Sequence, residues 1–202
     1  MLDINIGKPS PLGSTITSKG VNFSLVAPNA KYIEILIFDS NNSLFPSSVY
    51  KLDTKFQSGP YWHAEIEGLK EGSIYAYRVY QLDNGINNDY SSKVLIDPCS
   101  RGITGWENYN RNEAMSENDN VNTCLKSVVC DRDKFNFKDF PRPKRSWQDS
   151  IIYELHIGSF TKESNLSKDI SNESCFEKSI KKISYFKELG ITAIELLPIF
   201  CF

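Results

Sequence analysis

Two carboxylates invite a chemical reading: Glu154 in the block Tyr153-Glu-Leu-His156, and Glu195 in the block Glu195-Leu-Leu-Pro198. If the two blocks are neighbouring parallel strands, the side chains come together, and a carboxylate paired with a carboxylic acid can divide the work of nucleophile and acid. The other reactive residue types point to less. Cys99, Cys124, Cys130, Cys175 and Cys201 are odd in number, widely spaced and without a C-x-x-C pair, so reduced structural thiols are expected. With only His63 and His156 as histidines, a zinc site lacks ligands, and neither metal nor cofactor is expected.

The elements that would position the carboxylates can be read around them. Ser150 to Gly158 is rich in β-branched and aromatic residues and ends at a glycine, which predicts a buried strand. After a polar loop from Thr161 to Glu173, apolar residues recur at Phe176, Ile180, Ile183, Phe186 and Leu189, the spacing of an amphipathic helix. Ser174 and Glu177 form a capping box at its start, and Gly190 suits the left-handed position that ends it. Ile191 to Pro198 then predicts a second strand, closing a right-handed strand–helix–strand unit.

The first hundred residues read differently. Val21 to Ala27, Tyr32 to Phe38, Val49 to Leu52, Tyr61 to Ile66 and Ser73 to Tyr80 are short strands separated by turn residues, among them a tight turn at Asp83-Asn84-Gly85. Tyr75, Tyr77 and Val79 share one face, and no helical period intervenes, so a β-sandwich is expected. Residues 101–149 change to Asn, Asp, Glu, Lys and Arg and read as an irregular linker over the domain junction. Its apolar anchors would be Trp106, Val128-Val129, Phe135-Asn-Phe137 and Trp147, with Pro141-Arg-Pro143 stiffening its end.

Composition excludes several classes. The chain has 202 residues, 40% hydrophobic and 24% charged, which suits a folded protein of one or two domains. Its 23 basic and 25 acidic residues give a net charge of −2, and no basic run exceeds a pair, so nucleic acid is not an expected partner. The amino terminus lacks a signal-peptide pattern and no apolar run is long enough to span a membrane, so a cytosolic protein, or one of the plastid stroma in a plant or alga, is expected.

The blocks Ile151 to Thr161 and Tyr185 to Phe200 resemble the opening strand–helix–strand segment of the α-amylase clan of glycoside hydrolases, most of all the isoamylase-type glycogen and starch debranching enzymes. Gly20 to Asp39, Tyr61 to Val79 and Lys93 to Pro98, in that order, resemble the family 48 carbohydrate-binding-type module that precedes the catalytic barrel in debranching and branching enzymes. The resemblance implies an immunoglobulin-like sandwich over residues 1–100, the linker over 101–149, and the beginning of a (β/α)8 TIM barrel over 150–202. It also implies α-glucan (glycogen, starch or amylopectin) as substrate and α-1,6 branch hydrolysis by the retaining mechanism, which needs two carboxyl groups about 5–5.5 Å apart.

Clan members place those catalytic groups after the fourth, fifth and seventh barrel strands. Glu154 and Glu195 are therefore expected to be structural, no catalytic residue is assigned, and the 202-residue chain is expected to be inactive alone, as the amino-terminal part of a longer enzyme. Aromatic rings able to stack on pyranose faces make Trp62, Tyr61, Tyr75 and Tyr77 the candidate sugar contacts, weighed against a place in the sandwich core. Tyr153 and His156 are candidates for the substrate side of a barrel. The alternatives are a branching enzyme, a non-catalytic glucan-binding or scaffold protein, and, last, an unrelated doubly wound domain, against which stands the lack of a glycine-rich phosphate cradle between Gly158 and Glu173.

Overall fold

The computed structural model describes residues 2–81, 93–134, 140, 142–162 and 174–199. The Asp83–Gly85 turn, the Phe135–Phe137 anchors, Pro141, most of the Thr161–Glu173 loop and Cys201 lie outside those residues. The chain divides into two compact units, Met1–Asn136 and Phe137–Phe202.

The first unit is a sandwich of two antiparallel sheets. One contains β1 (Ile4–Ile6), β2 (Gly13–Ile16), β3 (Gly20–Val26), β6 (Gln57–Ser58) and β7 (Tyr61–Glu67), in the order β1-β7-β3-β2 with β6 also on β7. The other contains β4 (Ala30–Phe38), β5 (Ser48–Leu52), β8 (Ile74–Gln81), β9 (Val94–Leu95), β10 (Gly102–Thr104) and β11 (Lys126–Val128), in the order β10-β11-β8-β4-β5 with β9 also on β8. Period-two alternation explains the core. Val21 and Phe23 of β3, Ile33, Ile35 and Ile37 of β4, Tyr50 and Leu52 of β5, Trp62, Ala64 and Ile66 of β7, and Tyr75 and Tyr77 of β8 turn inward into one buried cluster.

The outer faces are covered in part. On the first sheet the buried Asn22 amide accepts from Lys8 N–H at 2.6 Å and donates to Lys8 C=O at 3.0 Å, while Ser24 donates to Pro9 C=O at 2.7 Å. Those side chains substitute for a strand ladder and strap the amino-terminal segment across the sheet.

On the second sheet, Leu36 and Phe38 of β4 and Ala76 of β8 face outward and would be left wet by an irregular linker. Instead they form a second buried cluster with Val94, Val121 and Cys124. The stretch expected as irregular thus contributes β10, β11 and α1 (Arg111–Met115), which Asn110 caps by accepting from Asn112 and Glu113 N–H. Buried Lys93 fastens this cover by donating to the carbonyls of Glu113, at 2.7 Å, and Asn118. Buried Asp97 accepts from Tyr75 O–H at 2.7 Å and Cys99 N–H at 2.7 Å, and its own N–H donates to Ser127 Oγ at 2.9 Å.

The second unit has β12 (Ile152–Leu155), α2 (Ile157–Phe160), α3 (Cys175–Ile180), α4 (Ile183–Glu188) and β13 (Ala193–Leu196), with β12 and β13 parallel. The Ser174–Glu177 capping box is present, and Gly190 sits at φ +75°. The one expected helix is two. At the break Lys182 N–H bonds back three residues to Ser179 C=O at 3.0 Å, a 3-10 step between α3 and α4.

Candidate functional site

The aromatic residues proposed as sugar contacts separate by face. Trp62, Tyr75 and Tyr77 point between the sheets and are 1%, 0% and 2% exposed. They cannot stack on a ligand from solvent; they are core, with Tyr75 edge-on to Phe23 at 4.8 Å and the Trp62 indole N–H given to Ala27 C=O at 2.9 Å. Burial raises the Tyr75 hydroxyl far above its ordinary range, and the neighbouring Asp97 charge adds to that. Tyr61, of opposite parity, is 38% exposed at the start of β7.

A better platform lies on the outer face of the second sheet, where the 93–124 segment leaves half of it open. Register places Tyr32 beside Tyr80, and Lys51, Glu34 and Arg78 in the next row. The two tyrosine rings stack with centroids 4.1 Å apart and planes 17° from parallel, and Lys51 Nζ stands 3.9 Å over Tyr32. Tyr80 O–H donates to Glu34 at 3.2 Å, and Arg78 reaches Glu34 at 3.9 Å and Asp119 at 2.8 Å.

Partial burial and the Glu34 carboxylate push the Tyr80 hydroxyl up to about 12, so it stays a donor at physiological pH. With Tyr80 on one face of Tyr32 and Lys51 over the other, what remains for a sugar ring is the face of Tyr80 turned away from Tyr32, with fixed donors and acceptors beside it for hydroxyls. The sequence carried a signal for this platform that attention to the inward aromatics hid. Tyr32 and Tyr80 have the parity opposite to Ile33, Ile35, Tyr75 and Tyr77, which places them on the outside of the same two strands.

In the second unit Glu154 and Glu195 are indeed partners across β12 and β13. Both are exposed to water. Tyr153 packs against Phe160 and Phe186, centroids 6.2 and 5.3 Å away, so its ring belongs to an aromatic cluster with α2 and α4. His156 caps α2, its Nδ1 accepting from Ser159 N–H at 3.1 Å; this supplies the polar partner a histidine at a strand's end needs. Trp106 and Trp147, expected as linker anchors, are 42% and 86% exposed.

Among the described residues no three or more His, Cys, Asp or Glu side chains cluster as a metal site, Cys99, Cys124, Cys130 and Cys175 are unpaired, and no helix is long and apolar enough to cross a membrane.

Comparison with known proteins shows what the chain is similar to. Residues 11–100 match the family described as carbohydrate-binding module 48 (isoamylase N-terminal domain). The glycogen debranching enzyme of Erwinia tasmaniensis is 31% identical over 100% of this chain and 31% of its own length. That of Pectobacterium carotovorum is 29% identical over 98% of this chain and 30% of its own. The chain therefore spans about a third of the curated relatives it matches. Among solved structures, the catalytic module of the pneumococcal glycogen-degrading virulence factor SpuA aligns with TM-score 0.72 and 22% identity, covering 98% of this chain and 28% of that one. The Group B Streptococcus pullulanase SAP aligns with TM-score 0.72 and 21% identity, covering 96% and 25%. These two show a shared fold. The sandwich is thus similar to module 48 over residues 11–100, and the chain along its whole length is similar to about a third of the length of glycogen debranching enzymes.

Proposed function

We propose that this chain is the amino-terminal, glucan-contacting part of an enzyme that hydrolyses α-1,6 branch linkages of glycogen or starch with retention, and that its sandwich meets the glucan at the Tyr32–Tyr80 platform. The observation that carries the proposal is the likeness to glycogen debranching enzymes along the full chain. The open half of the second sheet, with its stacked tyrosines and ordered charges, supplies a surface of the right chemistry.

The second unit supports a barrel beginning. Two parallel strands joined through helices are the repeating unit of a (β/α)8 barrel. Ile152, Ile194 and Leu196 on those strands are exposed apolar residues of the kind that further strands and helices would cover. On this reading Glu154 and Glu195 are wall carboxylates, and the nucleophile and acid come from later strands.

Calorimetric titration with maltoheptaose tests the platform. Tyr80→Ala is expected to weaken binding about fivefold, since an aromatic stacking contact is worth roughly 1 kcal/mol. Tyr80→Phe keeps the ring and loses only the hydrogen bond to Glu34, so it should fall between the two. Wild-type affinity in Tyr80→Ala would remove the platform from the account.

A further inference from the structure

We propose that the turn Gly105–Tyr109 carries a second α-glucan contact, separate from the Tyr32–Tyr80 platform, in which Trp106 and Tyr109 receive consecutive glucose units. The proposal rests on the reading that the chain meets α-glucan. Both rings lie beyond residues 11–100, the stretch matched to the module family.

The two side chains are 42% and 37% exposed, yet they are ordered against each other, with ring centroids 5.9 Å apart and planes at 74°. They form an open corner of two nearly perpendicular apolar faces. A flat partner could cover one face at a time. An α-glucan chain, whose successive pyranose faces turn as the chain winds, can lay one unit on each. Exposed Glu107 and Arg111 flank the corner with an acceptor and donors for sugar hydroxyls.

The corner is preorganised. Asn108 N–H bonds to Gly105 C=O at 3.2 Å, Tyr109 N–H to Trp106 C=O at 3.4 Å, and Asn110 N–H to Thr123 C=O at 3.3 Å. Gly105 sits at φ +95°, and a Cβ there would come within 3.1 Å of Cys124 C=O. Beneath it is Lys126, fully buried, whose ammonium lies 3.8 Å from that Cβ position, 3.4 Å from Asn41 C=O and 5.0 Å from the Phe38 ring centre. A turn held at so many points loses little freedom when a ligand settles on it, which favours affinity.

The test is tryptophan fluorescence of the 202-residue chain titrated with maltoheptaose, run beside native electrophoresis through amylopectin. A saturable change in emission is expected. It should be lost in Trp106→Ala and kept in Trp147→Ala, and its midpoint should move about tenfold in Tyr109→Ala. A response that survives Trp106→Ala, or none from wild type while amylopectin still retards it, overturns the second contact and leaves the glucan reading standing. A wild type with neither response nor retardation overturns both.

Discussion

Replacing Trp62 by alanine should cost this protein about 3–5 kcal/mol of stability, and it should do so without touching glucan affinity per folded molecule. The indole is 1% exposed, sits in the core shared by the two sheets, and gives its N–H to Ala27 C=O at 2.9 Å. Its loss removes the largest side chain of that core and leaves a cavity that the facing Ile and Tyr residues cannot fill, while the Ala27 carbonyl keeps Ala30 N–H, at 3.2 Å, as a donor. Against the 5–15 kcal/mol that usually separates folded from unfolded chains, the change is large enough to leave the variant partly unfolded at 37 °C. Urea denaturation reads it as a lower midpoint with an unchanged slope. A variant of wild-type midpoint that no longer bound amylopectin would return Trp62 to the ligand contacts.

Asp97→Ala is expected to cost about 2–4 kcal/mol, through the two donors it leaves unpaired. Tyr75 O–H and Cys99 N–H both give to this carboxylate, at 2.7 Å each, in a site where the aspartate is 2% exposed. The pH dependence of that cost has a definite sign. Burial lifts the Asp97 carboxyl above the ordinary carboxylate range, and the bonds from Tyr75 and Cys99 pull back only part of the way. The folded state therefore holds this proton more tightly than the unfolded chain does. Its contribution is fully present below the unfolded value, about 3.9, and declines as pH rises through the folded value. The penalty of Asp97→Ala should thus be smaller at neutral pH and grow on acidification towards 4. A penalty that shrank on acidification would mean that the carboxylate, not the acid, is the form the fold favours.

How much of this could be read beforehand follows from which residues carry the signal. The alternation in Gly20–Val26, Ala30–Phe38 and Ile74–Gln81 placed three central strands and their inward faces, and the Ser174–Glu177 box marked a helix start to the residue. The cover of the second sheet was not legible, because β10 and β11 are three residues each and take their stability from pairing, β10 with β11 and β11 with β8, rather than from any local pattern.

The burial of Lys93, Asp97 and Lys126 was not legible for the same reason. A charged side chain reads as surface until the carbonyl, hydroxyl or ring that receives it is known, and those partners are up to 85 residues away. Aromatic type alone could not separate Trp62 and Tyr75, which hold the core, from half-buried Tyr80 and exposed Trp106. For the tyrosines of β4 and β8 strand parity could have made that separation; for Trp106, in a turn, nothing local could.

The central claim is that the sandwich meets α-glucan, and its most direct test is the mobility of the 202-residue chain in native gels containing amylopectin or dextran. The account predicts retardation that rises with amylopectin and saturates, with none in dextran, whose linkages differ and whose helical sense offers the rings no match. Equal mobility in both gels and in plain acrylamide, from a chain shown to be folded by circular dichroism, would contradict it.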